Sequence, residues 1–171
     1  MKILETDRLI LRHLLPDDLD RLFTLYSDPE IRRYFPEGTL TYEETKEELE
    51  WFLNGHPKHS ELGLWATIHK ESNQFIGRCG LLPWTIEGRY EVEVAYMIAK
   101  EYWRQGLGTE AAGAILQYGF GQLGLSRLIC MIDPSNSASR RVAEKIGMTL
   151  EKEIDGFEGD NKPFLIYSIS K

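Results

Sequence analysis

The chain has 171 residues, 42% of them hydrophobic and 11% aromatic, which suits one folded domain with its own core and excludes a disordered chain. Its net charge of −7 argues against nucleic-acid binding through a broad basic face and favours the approach of cationic partners such as amines.

Residues 1–12 carry five charges and no apolar core, so no leader peptide is expected, and nowhere is an apolar run long enough to cross a bilayer. Cys79 and Cys130 lie in apolar runs and read as buried free thiols of a cytoplasmic protein. His13, His56, His59 and His69 are scattered, and Pro57 puts the nearest two in a loop, so no metal is expected. Without repeats, low-complexity segments or linkers, 1–171 reads as a single domain.

In chain order, residues 8–12 read as a first strand. Pro16, Asp17 and Asp18 open a helix with Leu19, Leu22, Phe23 and Tyr26 on one face, and Asp28-Pro29 stops it. A second helix starts at Thr41, in capping-box spacing with Glu44, carries Leu49, Phe52 and Leu53 on its apolar side, and ends at Asn54-Gly55. Strands follow at 64–70 and 74–82 around the turn Glu71-Ser72-Asn73. The next strand, 90–98, alternates Val92, Val94, Tyr96 and Ile98 with Glu91, Glu93, Ala95 and Met97. The period turns helical from Leu107 to about Leu123; 128–132 is a continuous apolar run, hence a central strand; and a short helix spans about 137–146 before Gly147. Two last strands, near 148–154 and 163–169, enclose a polar Gly-rich loop. The order βααβββαβαββ is an α+β layout: one mixed, mostly antiparallel sheet flanked by helices, with a βαβ crossover in its second half.

Between the strand at 90–98 and the following helix stands Arg104-Gln105-Gly106-Leu107-Gly108-Thr109. The first turn of a helix leaves backbone N–H groups unpaired, and glycines let a pyrophosphate approach them; Arg104 adds charge and Thr109 a hydroxyl. Two other readings compete. The glycines can simply make a tight connection, and Gly106, Gly108 and Ala111, with Asp133 after the next strand, also satisfy a relaxed dinucleotide fingerprint. Against the dinucleotide stand the polar–apolar alternation of the preceding strand, the intervening residues 100–104, and the short remainder of chain.

Five segments, in order and at sensible spacing, carry a resemblance over nearly the whole chain: 6–12, 26–31, 93–98, 102–111 and 136–148. Together they resemble the GCN5-related N-acetyltransferase superfamily, specifically its ribosomal-protein N-terminal acetyltransferase-like branch. The resemblance implies the fold of that superfamily and an acetyl-CoA-dependent N-acetyltransferase. Acetyl-CoA would be a co-substrate, and the acetyl group would pass to a primary amine, a peptide N-terminal α-amine or a small amine, by direct attack in a ternary complex. In such enzymes the strand matching 90–98 splays from the one matching 128–132. The pantetheine arm would lie in that gap along Met97, Ile98 and Ala99. Backbone N–H groups of Arg104, Gln105, Gly106, Leu107, Gly108 and Thr109 would hold the pyrophosphate. Asn136 and Ser139 would serve the cofactor from the next helix, and Lys145 would reach a phosphate. Asn136 equally fits an ordinary N-cap, and Lys145 an exposed lysine at a helix C-terminus.

Two positions depart from the wider pattern. Trp103 stands where Arg or Gln is frequent, although this branch commonly has an aromatic there. Ala143 stands where many members place a tyrosine acid, so Ser139 is the stand-in, with a first-turn helix serine as its plain reading. The missing tyrosine leaves a second function open: a CoA-binding sensor or inactive relative. Glu93 matches the family's acid position and is the first candidate base, with Glu91 second. The two share a strand face about 7 Å apart, a pattern that fits a solvated face as well. Residues 27–38 and 155–162 would complete the acceptor cleft, with Tyr34, Phe35 and Trp84 as walls or core. No nucleic acid or membrane is implied as a partner, and a sheet-edge homodimer is compatible with the family.

Overall fold

A computed structural model describes residues 1–157 and 160–171. Among them, eight strands form one sheet: β1 (Lys2–Glu5), β2 (Leu9–Arg12), β3 (Gly63–His69), β4 (Gln74–Ile86), β5 (Arg89–Ile98), β6 (Arg127–Ile132), β7 (Thr149–Phe157) and β8 (Asp160–Ser170). Their order is β1-β2-β3-β4-β5-β6-β8-β7, and every neighbouring pair is antiparallel except β5 and β6. The helices are α1 (Leu19–Tyr26), α2 (Tyr42–Phe52), α3 (Leu107–Gly121) and α4 (Ser137–Lys145).

The α+β order expected from the sequence holds with one strand added. Lys2–Glu5 offers only Ile3 and Leu4 between charged ends, too little to signal a strand. It forms because the Thr6-Asp7-Arg8 turn folds it onto β2, with Thr6 N–H donating to Leu9 O and Thr6 Oγ1 accepting from Leu9 N–H. β4 also runs past Pro83, where the sequence suggests a stop. β3 ends opposite Leu81, so β4 has one paired edge at Pro83, the setting in which a strand tolerates proline. The Thr41 capping box is present: Thr41 Oγ1 accepts from Glu44 N–H at 3.1 Å, and Glu44 Oε1 accepts from Thr41 N–H at 2.9 Å.

Both sheet faces are covered. Leu107, Ala111 and Ile115 of α3 pack with Trp65, Leu81, Val92 and Val94 on one. Leu22, Leu25 and Tyr26 of α1 and Leu49 and Phe52 of α2 pack with Leu64, Ala66, Ala95 and Met97 on the other. The alternation along β5 therefore separates two buried faces rather than a buried one from a wet one. Cys79 and Cys130 are free and buried, as the sequence suggests.

Candidate functional site

The parallel pair β5–β6 is the opening in the sheet. Its described register is the single pairing Glu93 with Ile129. Beyond it, β5 stays bonded to β4 as far as Ile98 opposite Gly77, and β6 stays bonded to β8 as far as Ile132 opposite Leu165. Each strand is held by its outer neighbour, so the two part toward their C-terminal ends. The N-termini of α3 and α4, which follow these strands, stand at the wide end of the gap, where open sheets characteristically bind ligands. With one parallel pair only, the sheet is not the doubly wound sheet that the dinucleotide reading of Gly106 and Gly108 requires.

Backbone direction sorts the residues expected to line this gap. Along a strand, successive residues turn their N–H and C=O groups to opposite edges. Ala99 N–H donates to Ile76 O at 2.6 Å, and Met97 O faces Gly77, so both belong to the β4 side. Expecting a ligand to pair with Met97 and Ala99 is therefore corrected: the gap-side groups are those of Val94, Tyr96 and Ile98. Val94 O accepts from Cys130 Sγ at 3.4 Å, and Ile98 O accepts from Trp103 Nε1 at 2.7 Å.

The turn at 104–109 is built for close backbone approach. Arg104 has φ 63° and Gly106 φ 77°, both left-handed; the strain on a non-glycine at Arg104 marks a position the surroundings enforce. Such turns point successive N–H groups toward one concavity, which runs here into the unpaired N–H groups of Leu107, Gly108 and Thr109 in the first turn of α3. Gly108 leaves room: a Cβ there would meet nothing nearer than Val142 Cγ2 at 4.0 Å. The turn is braced from the far edge of the sheet. Arg8 Nη1 donates to Gln105 O at 2.8 Å, while Arg8 Nε and N–H donate to the two oxygens of Glu110 at 2.7 and 3.0 Å, joined by Thr6 Oγ1. Burial opposes ionisation of Glu110, but these hydrogen bonds prevail and hold its carboxyl below the usual range.

On α4, Asn136 Oδ1 accepts from Ser139 N–H at 3.1 Å, so its side chain performs the N-cap. Ser139 Oγ lies 2.9 Å from the phenol oxygen of Tyr96, which also donates to Ser139 O at 2.9 Å. Tyr96 was missed in the sequence because its alternation reads as plain core. Ala143 is buried in the α3-side core with no hydroxyl to offer. Lys145 is exposed at the opposite end of α4 from Asn136, beside Ile146, which packs near Gly113 of α3.

The two glutamates of β5 part company. Glu93 stands where β5 and β6 separate, Oε1 accepting from Trp84 Nε1 at 3.0 Å and Oε2 from Met131 N–H at 3.2 Å. Burial pushes its carboxyl above the ordinary value, against these bonds and the charge of Arg78. Glu91 is 5% exposed and gripped by Arg127, whose Nε and Nη2 donate to its two oxygens at 2.9 and 2.8 Å while Nη1 reaches Glu151. It is neither solvated nor in the cleft, so its place is structural.

A cleft of about 560 Å³ opens beside Glu93 and continues to Ser139. Tyr34, Phe35 and Trp84 all line it, as do Arg32 and Glu37 from segment 27–38. From the last hairpin, Phe164 lines it; residues 158 and 159 of the loop expected there lie outside the described residues. Sequence reading missed Arg32, Glu48 and Arg78, charged residues that also line the cleft.

Known proteins are similar to this chain in sequence and fold. The family described as "Acetyltransferase (GNAT) domain" matches residues 8–149. YkkB of Bacillus subtilis, an uncharacterized protein, is 37% identical over 96% of this chain and 93% of its own. YoaA of the same organism, an uncharacterized N-acetyltransferase, is 31% identical over 87% of this chain and 84% of its own. A GNAT-family acetyltransferase structure from Bacillus anthracis superposes with a TM-score of 0.84 at 27% identity, covering 99% of this chain and 98% of that one. A splayed parallel strand pair, a braced glycine turn at a helix N-terminus and a match spanning most of the sequence lead to one assignment: the chain belongs to the GNAT acetyltransferase family.

Proposed function

We propose that this acetyltransferase moves the acetyl group of acetyl-CoA onto a primary amine, a peptide N-terminal α-amine or a small amine, with Glu93 as the base. The observation that carries the reading is the place of Glu93: a half-buried carboxylate, fixed by two donors, where the gap meets the cleft.

Acetyl-CoA supplies the activated thioester. The pyrophosphate falls to the backbone N–H groups at 104–109, and the pantetheine arm to the gap side of β5, where Tyr96 and Ile98 present N–H groups. An attacking amine must first lose a proton, which an α-amine with a pKa of roughly 7.7–8.0 does more readily than a lysine at roughly 10.4. Raising the proton affinity of Glu93 brings it nearer the amine's and makes it a better base, acting directly or through one water. The oxyanion needs a fixed donor, and the Tyr96 N–H faces the gap. Ser139 and Tyr96 present hydroxyls in place of the tyrosine absent at 143. Burial raises the Tyr96 phenol further above its ordinary value of 10.0, so the pair stabilises the departing thiolate by hydrogen bonding rather than by full proton transfer.

Release of free thiol from acetyl-CoA across a panel of peptides and small amines, with mass spectrometry of the products, tests this reading. Acetylated amine is expected. CoA binding with no acetylated product from any amine would instead favour the sensor.

A further inference from the structure

We infer that the acceptor carries, besides its amine, an anionic group held by Arg32 and Arg78; this rests on the acetyltransferase reading of the same cleft. Both arginines line the cleft, yet they are only 4% and 5% exposed. Their flat faces are occupied by rings: the Arg32 guanidinium carbon lies 4.0 Å from the centre of Phe35 and 5.2 Å from Tyr26, and that of Arg78 lies 5.8 and 5.6 Å from the same two rings. Their Nε atoms are spent as well, Arg32 donating to Gly38 O at 2.7 Å and Arg78 to the Tyr26 hydroxyl at 2.8 Å. The terminal Nη groups of both make no hydrogen bond among the described residues; Arg32 Nη2 has a long ion pair at 3.6 Å with Glu37, whose side chain is 66% exposed.

Two largely buried guanidiniums, with faces stacked and Nη edges turned to the cleft, form a fork suited to a planar carboxylate or a phosphate. The charge of Glu48 acts on both arginines, but Glu48 makes no close ion pair with either, and its Oε2 is buried without a donor, open to an N–H or O–H of the same ligand. Arg78 and Leu82 share a face of β4, and Leu82 stands opposite Glu93, so the Arg78 side chain starts about 13 Å along the sheet from the base, and its charge acts on Glu93. A peptide with an acidic side chain near its N-terminus, or an amino acid, offers an amine and an anion together.

The test compares acid and amide versions of each acceptor on the intact enzyme: peptides with Glu or Gln at the second or third residue, and ω-amino acids of increasing length against their amides, with spermidine as the cationic contrast. We expect kcat/KM to favour the acid roughly ten- to hundred-fold, as a charge-assisted bond supplies. Whichever series shows the larger ratio identifies the source. In Arg78→Gln and Arg32→Gln the acid-to-amide ratio should fall toward one, and Arg78→Lys should restore part of it. Equal rates on acid and amide, or preference for spermidine, would overturn the inference while leaving the acetyltransferase reading intact. A separate arm needs no turnover: glutarate should raise the Tm of the wild type but not of Arg78→Gln, and no rise in the wild type counts against the anion site even if no amine is acetylated.

Discussion

Replacing Glu93 by Gln removes the proposed base and changes little else. The amide keeps an oxygen for Trp84 Nε1, now at 3.0 Å from the carboxylate, but its NH2 cannot accept from Met131 N–H. That lost bond costs about 1–3 kcal/mol, offset by removal of a buried charge, so Tm should move by only a few degrees. Activity should fall far more. General-base catalysis contributes about 10²–10⁴-fold, or roughly 2.7–5.4 kcal/mol at 1.36 kcal/mol per tenfold. The pH dependence sharpens the test. Burial raises the Glu93 pKa above the ordinary 4.5, so the acid limb of kcat/KM should sit above the normal carboxylate range and vanish in Glu93→Gln. The same shift works in the opposite direction on stability: the Glu93 contribution is fully present below its unfolded pKa and is lost as pH rises through the raised folded value. Steady-state thiol release from pH 4 to 9 (about the span over which Glu93 and an α-amine titrate) and isothermal titration with CoA read both sides. A rate within twofold of wild type, or an acid limb that persists in the variant, would refute Glu93 as the base.

Gly106→Ala forces an L-residue into φ 77°, costing about 1–2 kcal/mol, though its Cβ would meet nothing closer than Arg8 Nη2 at 3.5 Å. CoA affinity should drop at least about tenfold, as the relaxed turn loses about 1.4 kcal/mol or more of anion binding; unchanged affinity by titration calorimetry would place the pyrophosphate elsewhere. Glu110→Ala frees Thr6 and Arg8 from the turn and should cost about 1–3 kcal/mol while raising the KM for acetyl-CoA. Because the Glu110 pKa is lowered, its contribution is present above the ordinary 4.5 and lost as pH falls, so urea melts of the variant should be less acid-sensitive than those of wild type. Arg127→Met strands the buried Glu91 and should cost about 3–5 kcal/mol with kcat of the folded protein unchanged. A lower kcat at unaltered stability would return Glu91 to the chemistry.

Local order determined what the sequence disclosed. Helix starts at Pro16 and Thr41, the period-two run 90–98 and the glycine turn at 104–109 depend on neighbours a few residues apart, and capping, pleat and left-handed φ act at that range. Hence the α+β layout and the glycine turn with its two readings were legible. Excluding a doubly wound sheet was not: that rests on β5 and β6 being the one parallel strand pair among the described residues, a matter of strand order. Long-range pairing also divided Glu91 from Glu93, identical in type and two residues apart. Arg127 arrives from β6 to neutralise the first, while Trp84 and Met131 meet the second where the strands part. Likewise nothing local singles out Arg32 and Arg78; only α1 and the loop after it bring Tyr26 and Phe35 against them. The sequence by itself determined the elements and the glycine turn before α3; tertiary structure alone decided which charges are paired within the protein and which face the cleft, because desolvation and pairing depend on what the fold brings alongside.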